Sequence, residues 1–385
     1  MNNNFENVYL DNAATTMHKP ECVIDAVVNA MRTMGNAGRT SNKGAMDSGR
    51  IIFDTRQKLA NLFNADGPGQ VVFTKNSTEA LNIAIRGLFK NGDHIISTVM
   101  EHNSVLRPVY AIEKEQGISH TFIGVDSNGR LLIKDIEKNI KDNTKALIVT
   151  HASNLSGNVN DLYSIGQIAK KYGLLFIVDA SQTAGAYPID MKKMNIDVLC
   201  WTGHKGLFGP QGTGGLCVKK GLEIRPLTSG GTGVQSYLKE QPLEMPTRLE
   251  AGTLNAHGIA GLNAAITFIH NTGIDVIHKK EICLLNRFRD GLKSLDMISF
   301  YGDYDTDERT AIAAMNIADY ASGEVSDELE HRFGISTRPG AHCAPLMHEA
   351  FGTVDQGIVR FSFSYFNTED EVDYAIDAIR KLCLE

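Results

Sequence analysis

The spacing of hydrophobic positions changes along the chain, and it predicts helices first and strands afterwards. Near the start, apolar side chains recur at helical spacing, which predicts helices over 20–34 and 44–63. From residue 70 onward the apolar positions form short uninterrupted runs, which are typical of strands buried on both faces. The predicted strands cover 71–74, 94–98, 120–125, 146–150, 176–179, 198–202 and 214–219.

Helical patterns separate several of these strands and return in the last third of the chain. Helices predicted over 80–88 and 163–172 alternate with the strands, which indicates an open α/β sheet that is mostly parallel, with 214–219 antiparallel. Ligands bind such sheets beyond the carboxyl ends of the strands. Further helices are predicted over 259–270, 274–295, 326–333 and 369–382, with Ser326 and Thr368 as caps, and strands over 312–317 and 358–363.

Composition narrows the class of protein. The 385 residues carry a net charge of -7 without a basic run, which argues against nucleic acid as a partner. No apolar run approaches the ~20 residues that a membrane span needs, and the first residues lack the features of a signal peptide. The six cysteines are scattered, so neither a disulfide framework nor a metal site is expected. These features favour a cytoplasmic protein with reduced cysteines and no membrane contact.

Two polar residues end buried strands and are the first candidates for chemistry. Lys205 follows the strand 198–202 after Thr202, Gly203 and His204, and Asp179 ends the strand 176–179. Most lysines are solvated surface charges, but a lysine at the exit of a buried strand loses its proton more easily and becomes a nucleophile. An aspartate and a lysine so placed are what pyridoxal phosphate needs, because the lysine forms a Schiff base and the aspartate pairs with the ring nitrogen.

Two further stretches could bind an anion. Ser77 and Thr78 begin a predicted helix after Asn76, and free backbone N–H groups beside hydroxyls bind phosphate, although many such starts are only caps. The glycine-rich stretch 209–215 matches neither the Walker A spacing nor the dinucleotide fingerprint. Nucleotide binding there is therefore rejected, and a nicotinamide oxidoreductase is poorly supported.

Several motifs, in this order, resemble those of one enzyme family. They are Leu10-Asp11-Asn12-Ala13-Ala14-Thr15-Thr16, Glu101-His102, Asp179 with Gln182, Thr202-Gly203-His204-Lys205, Ala251-Gly252-Thr253 and Arg338-Pro339-Gly340-Ala341-His342-Cys343. Together they resemble the group II cysteine desulfurases, within the class V aminotransferase-like, fold-type I pyridoxal phosphate enzymes. The resemblance implies a large domain over 20–257 with a mostly parallel seven-stranded sheet. It also implies a small α+β domain formed by 1–19 and 258–385.

The resemblance assigns the cofactor site residue by residue. Lys205 would hold the aldehyde and later act as a base, while His102 would stack on the ring and move protons. The other cofactor-binding residues would be Ser77, Thr78, Asn154, Asp179, Gln182, Thr202, His204 and Thr253. Of these, Thr253 would reach the phosphate of a neighbouring subunit, which implies an active homodimer.

The resemblance also assigns the substrate side. Cys343 would attack the sulfur of L-cysteine and pass a persulfide to an acceptor protein, with Arg338, His342 and His348 as charge-capable neighbours that favour the thiolate. Substrate would be held by Asn12, Ala13, Arg39, Arg338 and Arg360. An arginine suits a carboxylate because it offers two parallel hydrogen bonds.

Two departures leave alternatives open. Pro339 follows the arginine, and the run Cys343-Ala344-Pro345-Leu346 is one residue shorter than the group II pattern. The chain could instead be a selenocysteine lyase that acts on L-selenocysteine, or another class V enzyme such as an epimerase or aminotransferase. A sulfur-carrying partner or scaffold with a vestigial pyridoxal site is a further alternative. The retention of Lys205, Asp179, His102 and Arg338 argues against it.

Overall fold

The structure, a computed structural model, describes residues 7–36 and 43–384. Within these ranges the strands are β1 Val8–Tyr9, β2 Val71–Thr74, β3 His94–Thr98, β4 Ser119–Ile123, β5 Thr144–Thr150, β6 Leu175–Asp179, β7 Val198–Thr202, β8 Gly214–Val218, β9 Ile298–Tyr301, β10 Ile312–Ile317, β11 Ile335–Ser336 and β12 Val359–Ser362. The α-helices there are α1 Glu21–Thr33, α2 Lys43–Leu62, α3 Ser77–Leu88, α4 Asn103–Gln116, α5 Ile133–Lys138, α6 Leu162–Tyr172, α7 Ala256–Thr272, α8 Ile274–Leu292, α9 Ser322–Phe333, α10 Pro345–Phe351 and α11 Glu369–Leu382. No described helix has the length and apolar character needed to cross a membrane.

Seven strands form one twisted central sheet in the order β2-β8-β7-β6-β5-β3-β4. All neighbouring strands are parallel except at β8, which runs antiparallel to both β2 and β7. The register pairs Thr150 with Asp179 and Asp179 with Cys200, so the carboxyl ends of β5, β6 and β7 lie next to one another. The predicted sheet, including its antiparallel strand, is therefore confirmed.

Two smaller sheets are built from the ends of the chain. Strands β12, β10 and β9 form an antiparallel sheet, and β1 pairs in parallel with β11. A separate apolar cluster, which includes Leu10, Phe288 and Phe361, covers this region. Helix α7, which lies next to the predicted domain boundary, packs on α1 and α2 and joins the core of the central sheet. The division at residues 20–257 stays a prediction.

Helix starts were predicted with mixed success. Thr368 caps α11 as expected: its Oγ1 accepts from Glu371 N at 3.2 Å, and the Glu371 carboxylate accepts from Thr368 N at 2.8 Å. The prediction that Ser326 is a cap is wrong, because α9 already begins at Ser322. Ser326 lies inside that helix and its hydroxyl meets that of Thr337 at 2.9 Å.

Helix α4 was not predicted, although its N-cap is His102, one of the predicted site residues. Its sequence is rich in polar residues and contains Pro108, which normally interrupts a helix because it has no N–H. The ring of His102 caps this helix, since its Nδ1 accepts from Ser104 N at 3.0 Å. The start of α3 has a similar arrangement, in which Asn76 Oδ1 accepts from Glu79 N at 2.9 Å.

Candidate active site

A cavity of about 260 Å³ lies at the carboxyl ends of the parallel strands. Most of the predicted site residues line it: Ala13, Ser77, Thr78, His102, Asn154, Asp179, Gln182, Thr202, His204, Lys205, Arg338 and Arg360. They come from the N-terminal segment, the central sheet and the C-terminal region, and the fold brings them together at the edge where open parallel sheets bind ligands.

Lys205 lies in a tight turn that follows β7. The turn is closed by Gly209 N donating to Gly203 O at 2.7 Å, and the Lys205 carbonyl accepts from Thr16 Oγ1 at 3.1 Å. Among the described residues, its amine has no hydrogen bond or ion pair. Burial lowers the pKa of Lys205 to about 8, with Arg360 adding to the effect and Asp179 opposing it. The amine is therefore prepared to act as a nucleophile or base.

Asp179 is the last residue of β6 and is only 3% exposed. Its Oδ1 accepts from the backbone N–H of Ser181 at 2.9 Å and from the Ser181 hydroxyl. Burial raises the pKa of Asp179, while the hydrogen bonds from Ser181 and the charge of Lys205 oppose that rise. A buried carboxylate of this kind requires a cationic partner, and a protonated ring nitrogen is one.

The start of α3 and the end of β7 form the side of the cavity that is predicted to bind an anion, called here the anion-binding side. Ser77 and Thr78 are the first two residues of α3, where backbone N–H groups lack helical partners. Thr202 Oγ1 is buried without a hydrogen-bond partner in the described part of the chain. His204 is neutral, because burial lowers its pKa to about 4, and its Nδ1 lies 3.0 Å from Thr15 Oγ1. An unpartnered buried hydroxyl at this point indicates that a ligand belongs there.

His102 is held in one tautomer by its role as a cap. Because Nδ1 accepts from Ser104 N, the proton of the neutral ring is on Nε2. Burial is the main cause that lowers the pKa of His102 to about 4, followed by the charge of Lys205. The hydroxyl of Ser104 lies 2.8 Å from His102 Nδ1 and 2.8 Å from Thr78 Oγ1. The cap thus links the ring to the anion-binding side.

The two arginines of the cavity have different environments. They face each other across a backbone bridge, with Arg360 N donating to Arg338 O at 2.9 Å. Arg360 is 2% exposed, forms an ion pair with Asp11 at 2.7 Å and donates to Asn154 O at 2.8 Å. Within the described chain, the Arg338 side chain has neither a hydrogen bond nor an ion pair. Arg338 is therefore the arginine that is free to bind an anionic group.

Four predicted residues do not line this cavity. Cys343 is partly buried beside it, and its carbonyl accepts from Asn103 N at 2.7 Å. The Asn12 side chain donates to Ser362 O at 2.9 Å and to Asn367 Oδ1 at 3.1 Å, so it holds the N-terminal segment in place. Thr253 lines a separate recess. Arg39 lies outside the described residues.

The two histidines near Cys343 do not supply the positive charge that was expected to favour a thiolate. Burial lowers the pKa of His342 well below its usual value, and burial also lowers the pKa of His348. Both rings are therefore neutral. Of the three predicted neighbours of Cys343, Arg338 is then the one that could supply a positive charge to favour the thiolate.

Several residues that line the cavity were not among the predicted site residues. They are Ala14, Asn76, Ser104, Thr150, Ala152, Ser181 and His342. Ser181 and Thr150 had a usable signal, because each stands at a strand end that was already predicted to face the site. Ser104 had no such signal, since helix α4 was missed.

The whole chain matches one enzyme family, described as Aminotransferase class-V, over residues 8–375. The chain belongs to that family. A probable cysteine desulfurase of Pyrococcus abyssi is 35% identical, over 98% of this chain and 94% of that protein. The cysteine desulfurase of Haloferax volcanii is 32% identical, over 97% of this chain and 88% of that protein.

Solved structures of family members agree with the fold. The apo cysteine desulfurase of Thermococcus onnurineus NA1 superposes with a TM-score of 0.92 at 32% identity, over 98% of this chain and 95% of that one. The Escherichia coli cysteine desulfurase CsdA, in a form with S-sulfonic acid, gives 0.88 at 27% identity, over 98% and 94%. The fold class predicted from sequence is confirmed.

Members of this family depend on pyridoxal phosphate, and the residues of the cavity fit that cofactor. A lysine with a lowered pKa, a buried aspartate and an unpartnered buried hydroxyl beside a helix start are the groups that its aldehyde, ring nitrogen and phosphate require. Asn154 Oδ1 is also buried without a partner among the described residues. The chain is therefore a pyridoxal phosphate enzyme.

Proposed function

We propose that this chain is a cysteine desulfurase that converts L-cysteine to L-alanine and transfers the sulfur to Cys343. The observation that carries the proposal is that one cavity holds a buried Asp179 together with Lys205 and Arg338, whose side chains have no partner among the described residues. Cys343 lies next in sequence to His342, which lines the same cavity. The relatives named as cysteine desulfurases, aligned over nearly the whole chain, support the same reaction.

Each residue has a role that its surroundings support. Arg338 would bind the substrate carboxylate through two parallel hydrogen bonds, because its guanidinium has no other partner among the described groups. The neutral amine of Lys205 would take the proton from the α-carbon of the substrate. His102 would donate or accept a proton through Nε2. Bound pyridoxal phosphate supplies the electron sink at the α-carbon, and Asp179 would keep its ring nitrogen protonated.

The remaining residues would hold the cofactor or support the arginines. Ser77, Thr78, Thr202 and His204 would bind the phosphate. Asn154 and Gln182 would face its ring, although each amide also braces the site: Asn154 Nδ2 donates to His342 O at 2.7 Å and Gln182 Nε2 donates to Ala13 O at 3.2 Å. Arg360 would act mainly by placing Asn154 and Asp11, because its side chain bonds to both.

The sulfur step requires a second thiol. The Cys343 thiolate would attack the sulfur of cysteine, and the carbon–sulfur bond would break with its electron pair left on carbon, which then takes a proton to give alanine. The products balance as alanine and a persulfide on Cys343, which a sulfur-acceptor protein would then collect. No further oxidant or reductant is needed for this step.

We further propose that the active unit is a homodimer. Thr253 is exposed and lines a recess of about 420 Å³ together with Met34 and Ile52, outside the cavity of its own chain. Ile24, Val28 and Met31 form an exposed apolar stripe on α1. An apolar stripe of this kind, beside a recess that contains a predicted phosphate ligand, fits a second copy of the chain. A cytoplasmic location is also proposed, because all six cysteines are free thiols.

The test is to incubate the purified holoenzyme with cysteine and, in parallel, with selenocysteine. We expect alanine from both substrates and a persulfide at Cys343, located by peptide mass. The Cys343→Ala variant should lose nearly all activity on cysteine, because the thiol is needed to accept sulfur. It should keep much of its activity on selenocysteine, because selenium leaves carbon more easily.

Two controls make the result specific. Cys283→Ala removes an exposed thiol and should leave both activities unchanged. The cofactor absorption of Cys343→Ala should equal that of the wild type, because Lys205 and Asp179 are intact. Undiminished alanine formation from cysteine by Cys343→Ala would show that another group accepts the sulfur, and would favour the selenocysteine lyase alternative.

A further inference from the structure

A row of three buried side chains lies behind the Cys343 turn. His342, His348 and Thr353 are 4%, 2% and 3% exposed, so solvent does not satisfy their polar atoms. His342 Nε2 lies 2.9 Å from Arg338 O, and His342 Nδ1 lies 3.5 Å from His348 Nε2. His348 Nδ1 lies 2.9 Å from Thr353 Oγ1. The row therefore runs from the backbone of Arg338 to a threonine hydroxyl.

The chemistry of these contacts determines where each proton lies. A carbonyl oxygen only accepts, so His342 Nε2 must carry a proton that it donates to Arg338 O. Since the ring is neutral, Nδ1 has a lone pair and His348 Nε2 must donate to it. His348 is neutral as well, so its Nδ1 accepts from the Thr353 hydroxyl. The opposite assignment would make lone pairs face each other at one or more of these contacts.

The turn that this row supports has an unusual backbone. His342 and Cys343 are consecutive non-glycine residues with positive φ, at 51° and 56°. Such residues are disfavoured unless the surroundings hold them. The two carbonyls of the turn are held from outside, by Asn154 Nδ2 and by Asn103 N, each at 2.7 Å. The ring of His342 is the internal brace, because it joins the turn to the backbone of Arg338.

We propose that His348 and Thr353 are positioning residues. They lock the ring of His342 in one tautomer, and so hold Cys343 and Arg338 in the relative positions that sulfur transfer requires. The inference rests on the proposed function, because the relative position of the two residues matters only if Cys343 receives sulfur from a substrate that Arg338 binds. It also gives His342 a specific role. Both ring nitrogens are engaged, so His342 braces the turn and does not take a proton from Cys343.

The test compares two variants at one position. Thr353→Ser keeps the hydroxyl that donates to His348, whereas Thr353→Val keeps the branched shape and removes the donor. Without that donor, the His348 proton should move to Nδ1, where the Thr353 carbonyl oxygen lies 3.4 Å away in the wild type. His342 Nδ1 then loses its donor, and the bond from Nε2 to Arg338 O weakens.

We expect Thr353→Val to slow persulfide formation on Cys343 by about tenfold to a hundredfold, since a misplacement of ~1 Å has effects of that size. Thr353→Ser should stay within about twofold of wild type. Both variants should retain the wild-type cofactor absorption, because Thr353 does not line the cavity that would hold the cofactor. Nitrogen-15 NMR of labelled histidines should find Nε2–H tautomers for His342 and His348 in the wild type and Thr353→Ser. In Thr353→Val it should find the His348 proton on Nδ1.

The outcomes separate this inference from the proposed function. Equal persulfide rates in Thr353→Val and Thr353→Ser, or Nδ1–H on His342 in the wild type, would overturn the inference while leaving desulfuration intact. A wild-type enzyme that makes no alanine from cysteine would overturn the proposed function, and the NMR measurement would still decide the tautomers. If Thr353→Val fails to fold, His348→Gln, whose amide can donate to His342, should retain the rate that His348→Met loses. Equal rates for that pair would also overturn the inference.

Discussion

Lys205 shares its cavity with two arginines and a buried aspartate, and burial together with these charges sets the pKa of its amine. Burial and the charges of Arg360 and Arg338 lower the pKa of Lys205, while Asp179 and Asp11 raise it. The net result, about 8, leaves a substantial neutral fraction of the amine near pH 7.5. A solvated lysine, with a pKa of about 10.4, would have almost no neutral amine at that pH.

A pH dependence of cofactor loading follows from this pKa. The amine reacts with an aldehyde only when it is neutral, so the rate of Schiff-base formation should rise with pH through the pKa of the amine and level off above it. For the apoprotein mixed with pyridoxal phosphate, we expect a midpoint near 8. Absorbance after rapid mixing at a series of pH values measures it.

Two variants check the cause of that midpoint. Arg338→Gln removes a positive charge that lowers the pKa of Lys205, so its midpoint should move to higher pH. Lys205→Ala should show no Schiff-base absorption at any pH. A wild-type midpoint near that of an ordinary lysine would mean that the amine is solvated and that burial does not act on it.

At the scale of secondary-structure elements, the positions of Asp179 and Lys205 depend on how α6 packs beside β6 and β7. Gly166 of α6 is so close to the segment before β7 that an added Cβ would meet Met194 O at 1.9 Å. Backbone atoms of this kind cannot move aside without shifting the elements that they belong to. A Cβ added at Gly323 of α9, in contrast, would have no neighbouring atom within 4 Å.

These two glycines therefore make a matched pair of substitutions. Gly166→Ala should destabilise the protein by about 1–3 kcal/mol, as overpacking of a close contact does. Gly323→Ala should leave stability unchanged or raise it by up to about 1 kcal/mol, because alanine is the better helix former. Urea unfolding followed by circular dichroism measures both. Equal midpoints for the two variants would contradict the close approach of α6.

Sequence alone predicted the elements whose signals are local. The buried runs of β6 and β7 were clear, and so Asp179 and Lys205 were found at their ends. Helix α4 was not predicted, because its sequence is rich in polar residues and contains Pro108. The predicted cap at Ser326 was wrong, because α9 begins earlier, at Ser322. The pairing of Arg360 with Asp11 joins residues 349 positions apart, so no local pattern could predict it. The same holds for the row that ends at Thr353, which only the folded chain assembles.

At the scale of the whole molecule, the cavity is made by regions that lie far apart in the sequence. The central sheet contributes Lys205 and Asp179, whereas Arg338 and Arg360 come from the C-terminal region and Ala13 from the N-terminal segment. β1 pairs with β11, and this pairing brings the segment that contains Asp11 and Ala13 to the site. Thr253 lines a recess outside the cavity of its own chain, as the proposed homodimer requires.

Mixing two defective variants tests whether the sites are shared between subunits. In the proposed dimer each site would draw Lys205 from one chain and Thr253 from its partner. In a hybrid dimer of Lys205→Ala and Thr253→Ala, one site would then carry both defects and the other would carry neither. If subunits exchange freely in an equal mixture, half of the dimers are hybrids. Activity above that of either variant alone should then reach about a quarter of the wild-type value.

The control is a chain that carries both substitutions. Mixed with Thr253→Ala, it can form no site with both native residues, so activity should not rise above that of Thr253→Ala alone. The assay is alanine release after subunit exchange, with the mass of each species measured by light scattering. A fully active monomer, or an equal lack of recovery in both mixtures, would mean that Thr253 acts within its own chain. The exposed stripe of Ile24, Val28 and Met31 would then need another explanation, because no composite site would require a partner to cover it.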